Sequence, residues 1–438
     1  MQDSLPSRLI SVEDARATVL GHIRQMPTER VALIESHGRI LAQDAASDID
    51  ISPFDNSAMD GFAVRFADFE AASVSADAPL TLDIVGVIGA GAVYEGTLQQ
   101  GQALRIMTGA PLPQGADTVV KIEETTVDGA DAGCPEGRRV AFRAMPQRGE
   151  HIRPRGMEAR KGDVLLRVGE RISPPGVGLL ASTGNAEVQV YRRPRVAILA
   201  TGNELVDVTS VPGPGQIRNS NNYALAAAVI EAGGIPTVMP SVEDTREALV
   251  EALLAALAAH DFVVTSGGAA EGDYDFITPV VRQLGELFFN KVNMRPGKAQ
   301  TFGIIEGTPV FGLPGNPGAA FVGFEVLVRP ALRFMQGLHE LDRPFTMAVL
   351  TQDVKKKGEE RRCYLRARLE RGGGERGEGE RQGGGGTYCV TPEPNQSSAL
   401  LGALNRSNCL LVVPEGPDPL AVGSLACCLR LDREEGTV

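Results

Sequence analysis

Three segments of the chain join glycine turns to charged or hydrogen-bonding side chains. They are ATGNEL (200–205), TSGGAAEGDYDF (265–276) and FGLPGNPGAA (311–320). In the second, Ser266 and the paired Gly267 and Gly268 run into Glu271, Asp273 and Asp275. Glycine lets backbone N–H groups come close to a phosphate, and a helix that follows offers its N-terminus to an anion. Carboxylates repel phosphate unless a cation stands between them. Glu204, Asp244 and Asp275 are therefore candidate ligands of a hard divalent cation; magnesium usually takes one or two carboxylates plus substrate phosphates. Pro314, Gly315 and Asn316 form a second close-approach turn on the candidate site. Taken singly, Asp244 reads equally as a helix cap, and any of these acids as a solvated loop residue.

Between 293 and 300 lies NMRPGKAQ, where Arg295 and Lys298 flank Pro296–Gly297. Two cations on a stiff turn suit an oxyanion, Arg as a planar fork and Lys as a point charge. Two solvated surface charges are the alternative. SPFDNSAMDGFAVR (52–65) crowds Asp55, Asn56 and Asp60 between apolar residues. Asx side chains close turns, so part of that cluster is structural. RIMTGAPLPQG (105–115) adds a glycine loop with Thr108 at its start.

These loops need elements to hold them. SVEDARATVLGHI predicts a helix capped by Ser11, with Glu13 and Asp14 in its first turn. Short β-type runs broken by Gly, Pro and Asp fill 48–150 and predict an inserted β-rich domain. Residues 151–190 read as a return to the first domain, which then comprises 1–47 and 151–190. From 191 to 338 strands alternate with helices, which predicts a doubly wound, mostly parallel α/β sheet. In such a sheet the carboxyl ends of the strands share one edge, where ligands bind. That edge gathers the three glycine segments. From 339 to 438 the texture is β again, and a small barrel or sandwich fits. The low-complexity insert RGGGERGEGERQGGGG (371–386) reads as a loop between two strands.

The totals set outer limits. The chain has 438 residues, 43% of them hydrophobic, and a formal net charge of −12. That charge argues against a protein devoted to non-specific nucleic-acid binding. No basic-then-apolar leader or membrane span is visible, so a cytoplasmic protein is expected. Six cysteines without a C-x-x-C pair, and five scattered histidines, support neither a disulfide framework nor a histidine zinc site.

Taken together, PFDNSAMDGFAVR, RIMTGAPLPQGADTVV, IRPRGMEARKGDVLL, ILATGNEL, TSGGAAEGDYDF, MRPGKAQTFG, FGLPGNPGAA, RRCYLRARL and QSSALLGALNRSNCLLVVPEG resemble one family over nearly the whole chain. It is the molybdopterin molybdenumtransferases, which include the bacterial MoeA proteins and the E domain of gephyrin. The resemblance implies a reaction: adenylylated molybdopterin and molybdate are taken up, molybdenum enters at the dithiolene sulfurs, and AMP leaves, assisted by a divalent cation, usually Mg2+. It also implies a homodimer with a cleft built from both subunits, and possible contact with the molybdopterin adenylyltransferase and molybdoenzyme apoproteins. By position, Asp275 matches the family's functionally required acid, Glu204 the acid of its TGxEL loop, and Asp244 an acid before the following helix. Asp55, Asp60 and Thr108 match cleft residues of the inserted domain. Arg295 and Lys298 match two lysines near the molybdate site, and Arg366 and Ser398 an arginine and a serine of the last domain near that site. Asp275, Glu204 and Asp60 are the expected catalytic groups.

The chain also departs from the pattern. SGGVSVG reads SGGAAEG, losing a hydroxyl at Ala270 and gaining Glu271; PGNPVSA reads PGNPGAA, leaving Ala319 in place of serine; KPGKP reads RPGKA, leaving Ala299. Glu158 stands where Asp is usual. A binding or scaffolding protein on the same fold, or a related adenylyltransferase, are the rival readings.

Overall fold

The computed structural model describes residues 9–128, 137–268, 276–356, 358–372 and 388–432. The chain divides into two compact units: residues 30–189, and residues up to 29 together with those from 190 onward.

In the first unit the six-stranded sheet runs Thr118–Lys121, Gly61–Val64, Gln102–Ile106, Leu80–Ile88, Arg139–Phe142, Thr125–Val127. Both faces are covered. Phe62, Phe69, Leu82, Ile84 and Phe142 pack on one side, and Ala63, Ile88, Leu104, Ile106 and Val119 on the other. The helix Pro174–Ser182 starts with proline in its first turn, and the Ser173 hydroxyl accepts from the Gly176 N–H.

In the second unit the α/β sheet runs Ile235–Val238, Arg195–Ala200, Phe262–Ser266, Thr308–Leu313, Ala299–Ile305, Glu286–Lys291. The first four strands are parallel, and Ala299–Ile305 runs antiparallel to both of its neighbours, Thr308–Leu313 and Glu286–Lys291. RVAILA and FVVTS are near-continuously apolar because both of their faces are buried. Val196, Ile198, Phe262 and Val264 pack with Leu225 and Val229 of the Asn221–Glu231 helix. Ala197, Leu199 and Val263 pack with Leu249 and Leu253 of Arg246–Leu257 and with Val280 and Val281 of Ile277–Leu284. The expected doubly wound sheet is thus present. The helix Val12–His22 is capped by the Ser11 hydroxyl, which accepts from the Asp14 N–H at 3.0 Å. Arg246–Leu257 is capped by Thr245 rather than Asp244.

The last sheet runs Met294–Arg295, Arg362–Arg371, Tyr388–Pro392, Phe345–Leu350, Leu425–Arg430, Cys409–Val413, and Cys409–Val413 pairs back onto Arg362–Arg371. The fold here is a closed five-stranded barrel. Met294–Arg295 lies parallel beside Arg362 and Cys363, so the MRPGK turn starts on the barrel and ends in the α/β strand Ala299–Ile305. From 373 on, the Gly-rich insert lies outside the described residues. The five described cysteines are free. Among the described residues no helix is long and apolar enough to cross a membrane.

Candidate active site

At the carboxyl ends of the parallel strands lies a cavity of about 260 Å³, lined among others by Glu204, Asp244, Ser266, Gly267, Gly268 and Gly315. Only glycine fits the SGG turn. Gly267 has φ +92°, and a Cβ there would lie 2.5 Å from the Thr201 carbonyl oxygen; Gly268 has φ +65°. The ATGNEL loop is tied to the segment before the next helix by a reciprocal pair. The Asn203 N–H donates to Asp244 Oδ2 at 3.3 Å, and the Asp244 N–H to Asn203 Oδ1 at 3.1 Å. Asp244 therefore locks a loop while presenting a carboxylate on the cavity.

Glu204 and Asp244 supply two hard oxygen donors to one cavity, which fits a magnesium-type cation completed by water and phosphate. Among the described residues no group of three or more His, Cys, Asp or Glu gathers around one point. Asp275 lies outside the described residues, as do Ala270, Glu271 and Asp273.

A second cavity, about 930 Å³, is lined by Arg295, Glu359, Arg361, Gln396 and Ser398 among others. Arg295 Nη1 donates to Glu359 Oε2 at 3.2 Å. The Arg361 guanidinium beside it holds Glu359 down to about 2. Lys298 lines a neighbouring cavity that shares Glu359 and Arg361 as its wall. Arg295 and Lys298 thus reach different cavities.

Arg366 is the unusual residue. It is 0% exposed, and none of its three guanidinium nitrogens has a hydrogen-bond partner among the described residues. Burial pushes its pKa below the ordinary guanidinium value, opposed only by the charge of Glu393. Its backbone is laced to the loop that carries Ser398: the Arg366 N–H donates to Gln396 Oε1 at 3.0 Å, and Gln396 Nε2 donates to the Arg366 carbonyl at 2.8 Å. The Gly318 N–H donates to the Ser398 carbonyl at 2.7 Å. A Cβ at 318 would meet Arg366 Nη1 at 2.8 Å and Ser398 O at 3.0 Å. Gly318 therefore lets the PGNP segment, Ser398 and the Arg366 fork close on one another. Buried charges are ordinarily paired, and this one is not, among the described residues. Sequence reading placed Arg366 and Ser398 near each other but missed Gly318; its signal was the valine-to-glycine departure itself.

The candidates of residues 30–189 form their own group. Asp60 Oδ1 accepts from the Thr108 N–H at 2.7 Å and from Thr108 Oγ1 at 2.8 Å. These bonds hold the Asp60 carboxyl below its ordinary pKa. Asp55 Oδ1 accepts from the Arg155 N–H at 2.7 Å, fastening DNSAMDG to IRPRG. Asn56 is buried and donates to Ser52 Oγ at 3.1 Å, a structural Asx role.

Comparison with known proteins gives one answer along the chain. Residues 10–184 match the MoeA N-terminal region (domain I and II), residues 197–334 the probable molybdopterin binding domain, and residues 347–431 the MoeA C-terminal region (domain IV). The chain is 37% identical over 431 residues to a molybdopterin molybdenumtransferase of Bacillus subtilis (strain 168), covering 98% of this chain and 95% of that one. It is 35% identical over 408 residues to one from Staphylococcus aureus (strain COL), covering 93% and 92%. Among solved structures, a molybdopterin biosynthesis moea protein from Pyrococcus horikosii matches with a TM-score of 0.79 at 30% identity, over 97% of this chain and 99% of that one. Because the likeness runs through both units and the closed barrel, the chain belongs to the molybdopterin molybdenumtransferase family.

Proposed function

We propose that this protein inserts molybdenum from molybdate into adenylylated molybdopterin and releases AMP. The observation that carries the reading is Arg366, a buried fork with no protein partner among the described residues, set beside Ser398. Molybdate is a doubly charged oxyanion, and a planar guanidinium binds two of its oxygens at once. Arg295 lies on the cavity that Ser398 lines, and Lys298 on the adjoining one. The strand-end cavity takes the adenylyl pyrophosphate: the SGG turn brings backbone to the phosphates, and Glu204, Asp244 and Asp275 are the ligands offered to a divalent cation. That cation, magnesium by donor type, supplies charge neutralisation and polarises a phosphoryl oxygen when bound. Water adds to the adenylyl phosphorus and the P–O bond to the molybdopterin phosphate breaks, so AMP leaves. Molybdate oxygen departs as water or hydroxide as the dithiolene sulfurs bind the metal. Asp60 and Thr108 are proposed as further substrate-binding residues.

Asp275→Ala is expected to abolish AMP release while leaving the melting temperature unchanged, since its task in this reading is to hold the cation. Chelating the divalent cation should have the same effect on the wild-type protein. A variant with wild-type turnover would remove Asp275 from the metal site.

A homodimer is part of the reading, because the family builds its cleft across subunits. Sedimentation at micromolar concentration should show the dimer; a lone species of 46.3 kDa would contradict it. The free thiols suit a reducing compartment, and so the cytoplasm. Contacts with the adenylyltransferase that supplies the substrate and with apoproteins that receive the product are proposed on the same grounds.

A further inference from the structure

Asn221 opens the Asn221–Glu231 helix and lines the strand-end cavity. Its amide reaches two loops at once: Nδ2 lies 2.8 Å from Ser266 Oγ and 2.7 Å from the Gly315 carbonyl oxygen. A carbonyl can only accept, so the group facing Gly315 must be the NH2 end of the amide. That settles the amide's orientation. Its second N–H then points at the Ser266 hydroxyl, which must accept. Ser266 is 2% exposed and ends the strand Phe262–Ser266 immediately before the SGG turn. With its oxygen engaged by Asn221, the hydroxyl keeps its own hydrogen to donate.

We propose that Asn221 is a positioning residue, which orients the Ser266 hydroxyl as a donor to a phosphoryl oxygen in this cavity. The inference rests on the reading of the cavity as the adenylyl-phosphate site. Its chemistry is directional. An amide at 221 makes Ser266 a donor to the ligand, whereas a carboxylate at 221 would take the Ser266 hydrogen for itself. Asn221→Asp keeps the size, reverses the bond to Ser266 and sets a carboxylate oxygen against the Gly315 carbonyl.

The experiment is AMP binding by titration calorimetry, with melting temperature as a control on folding. Ser266→Ala should weaken AMP about tenfold or more, the usual worth of a hydrogen bond to a charged group. Asn221→Ala should weaken it comparably, and Asn221→Asp more, since the carboxylate also repels phosphate. In the Ser266→Ala background, Asn221→Ala should add less than about a twofold further loss, because residues acting through one hydrogen bond are not additive. A merely structural asparagine would give losses that multiply; that result overturns the proposal. So does wild-type AMP affinity in Asn221→Asp while Ser266→Ala binds poorly, which leaves the reading of the cavity standing. If AMP binds the wild type but ignores Ser266→Ala and Glu204→Gln alike, the cavity reading fails and takes the proposal with it. Should Asn221→Ala not fold, Asn221→Leu, which has nearly the same size and no polar atom, in both Ser266 backgrounds gives the same cycle.

Discussion

Arg366→Met is expected to melt at a higher temperature than the wild-type protein and to lose its response to molybdate. The guanidinium is fully buried and all three of its nitrogens lack partners among the described residues. Glu393 contributes charge but no side-chain hydrogen bond to it. Replacing buried ionic groups by apolar side chains of similar volume often stabilises a fold, by about 1–4 kcal/mol. Methionine fills much of the same space and removes the desolvated charge. The wild-type chain bears that cost for function, as strained sites do. A ligand that binds only the folded state returns stability, about 2.7 kcal/mol at a hundred times its dissociation constant. Molybdate should therefore raise the wild-type melting temperature and leave the variant's unmoved. A lower melting temperature in Arg366→Met, with an undiminished molybdate shift, would show that the arginine is structural.

Glu325→Ala should be among the most destabilising single changes in the chain, for the opposite reason. Glu325 is buried on the helical run that follows the PGNP turn. Its Oε2 accepts from Arg343 Nε at 2.7 Å and its Oε1 from Arg343 Nη2 at 3.2 Å, and Arg329 Nε lies 3.9 Å away. Arg343 also reaches Glu231 at 2.9 Å and the Leu431 carbonyl at 3.4 Å. The group thus ties the α/β layer to the end of the last barrel strand, and its carboxylates hold the Arg343 pKa above the ordinary value. Removing the glutamate takes two charge-assisted bonds from buried Arg343 and a nearby carboxylate from buried Arg329, and breaking such a group costs about 3–5 kcal/mol. Urea denaturation should report that loss, with Glu325→Gln intermediate. A change under about 1 kcal/mol would mean that Glu231 alone suffices for Arg343.

The contrast between these two arginines shows what the sequence could and could not reveal. Continuous apolar runs such as RVAILA announced buried parallel strands, and their shared carboxyl edge announced the glycine cavity. Local chemistry was equally readable at Ser11, whose hydroxyl caps the first helix. It was ambiguous at Asp244 because Thr245 stands beside it and takes the cap. Barrel closure was not legible, since Cys409–Val413 pairs with Arg362–Arg371 across some forty residues that have no local signature. Nor was the burial of Arg366. Strand alternation sends Cys363, Ala367 and Leu369 into the barrel core and Arg366 outward. It is buried only because the segment around Gly318 and the Ser398 loop close over it. Asn221 opens a helix, and its contacts depend on two loops 45 and 94 residues away, which no local signal announces.

The most direct test of the central claim is a molybdate titration of AMP release from protein loaded with adenylylated molybdopterin, with Arg366→Met and Arg295→Ala alongside. The wild type should release AMP only when molybdate is added. Arg366→Met should still bind the loaded pterin but need at least about tenfold more molybdate, since a charge-assisted hydrogen bond is worth about 1.5–3 kcal/mol. Arg295→Ala should show a smaller shift, because that side chain is half-exposed and already shared with Glu359. AMP release that is independent of molybdate, or an unchanged half-saturation in Arg366→Met with weakened pterin binding instead, would contradict the assignment of the buried fork to the oxyanion.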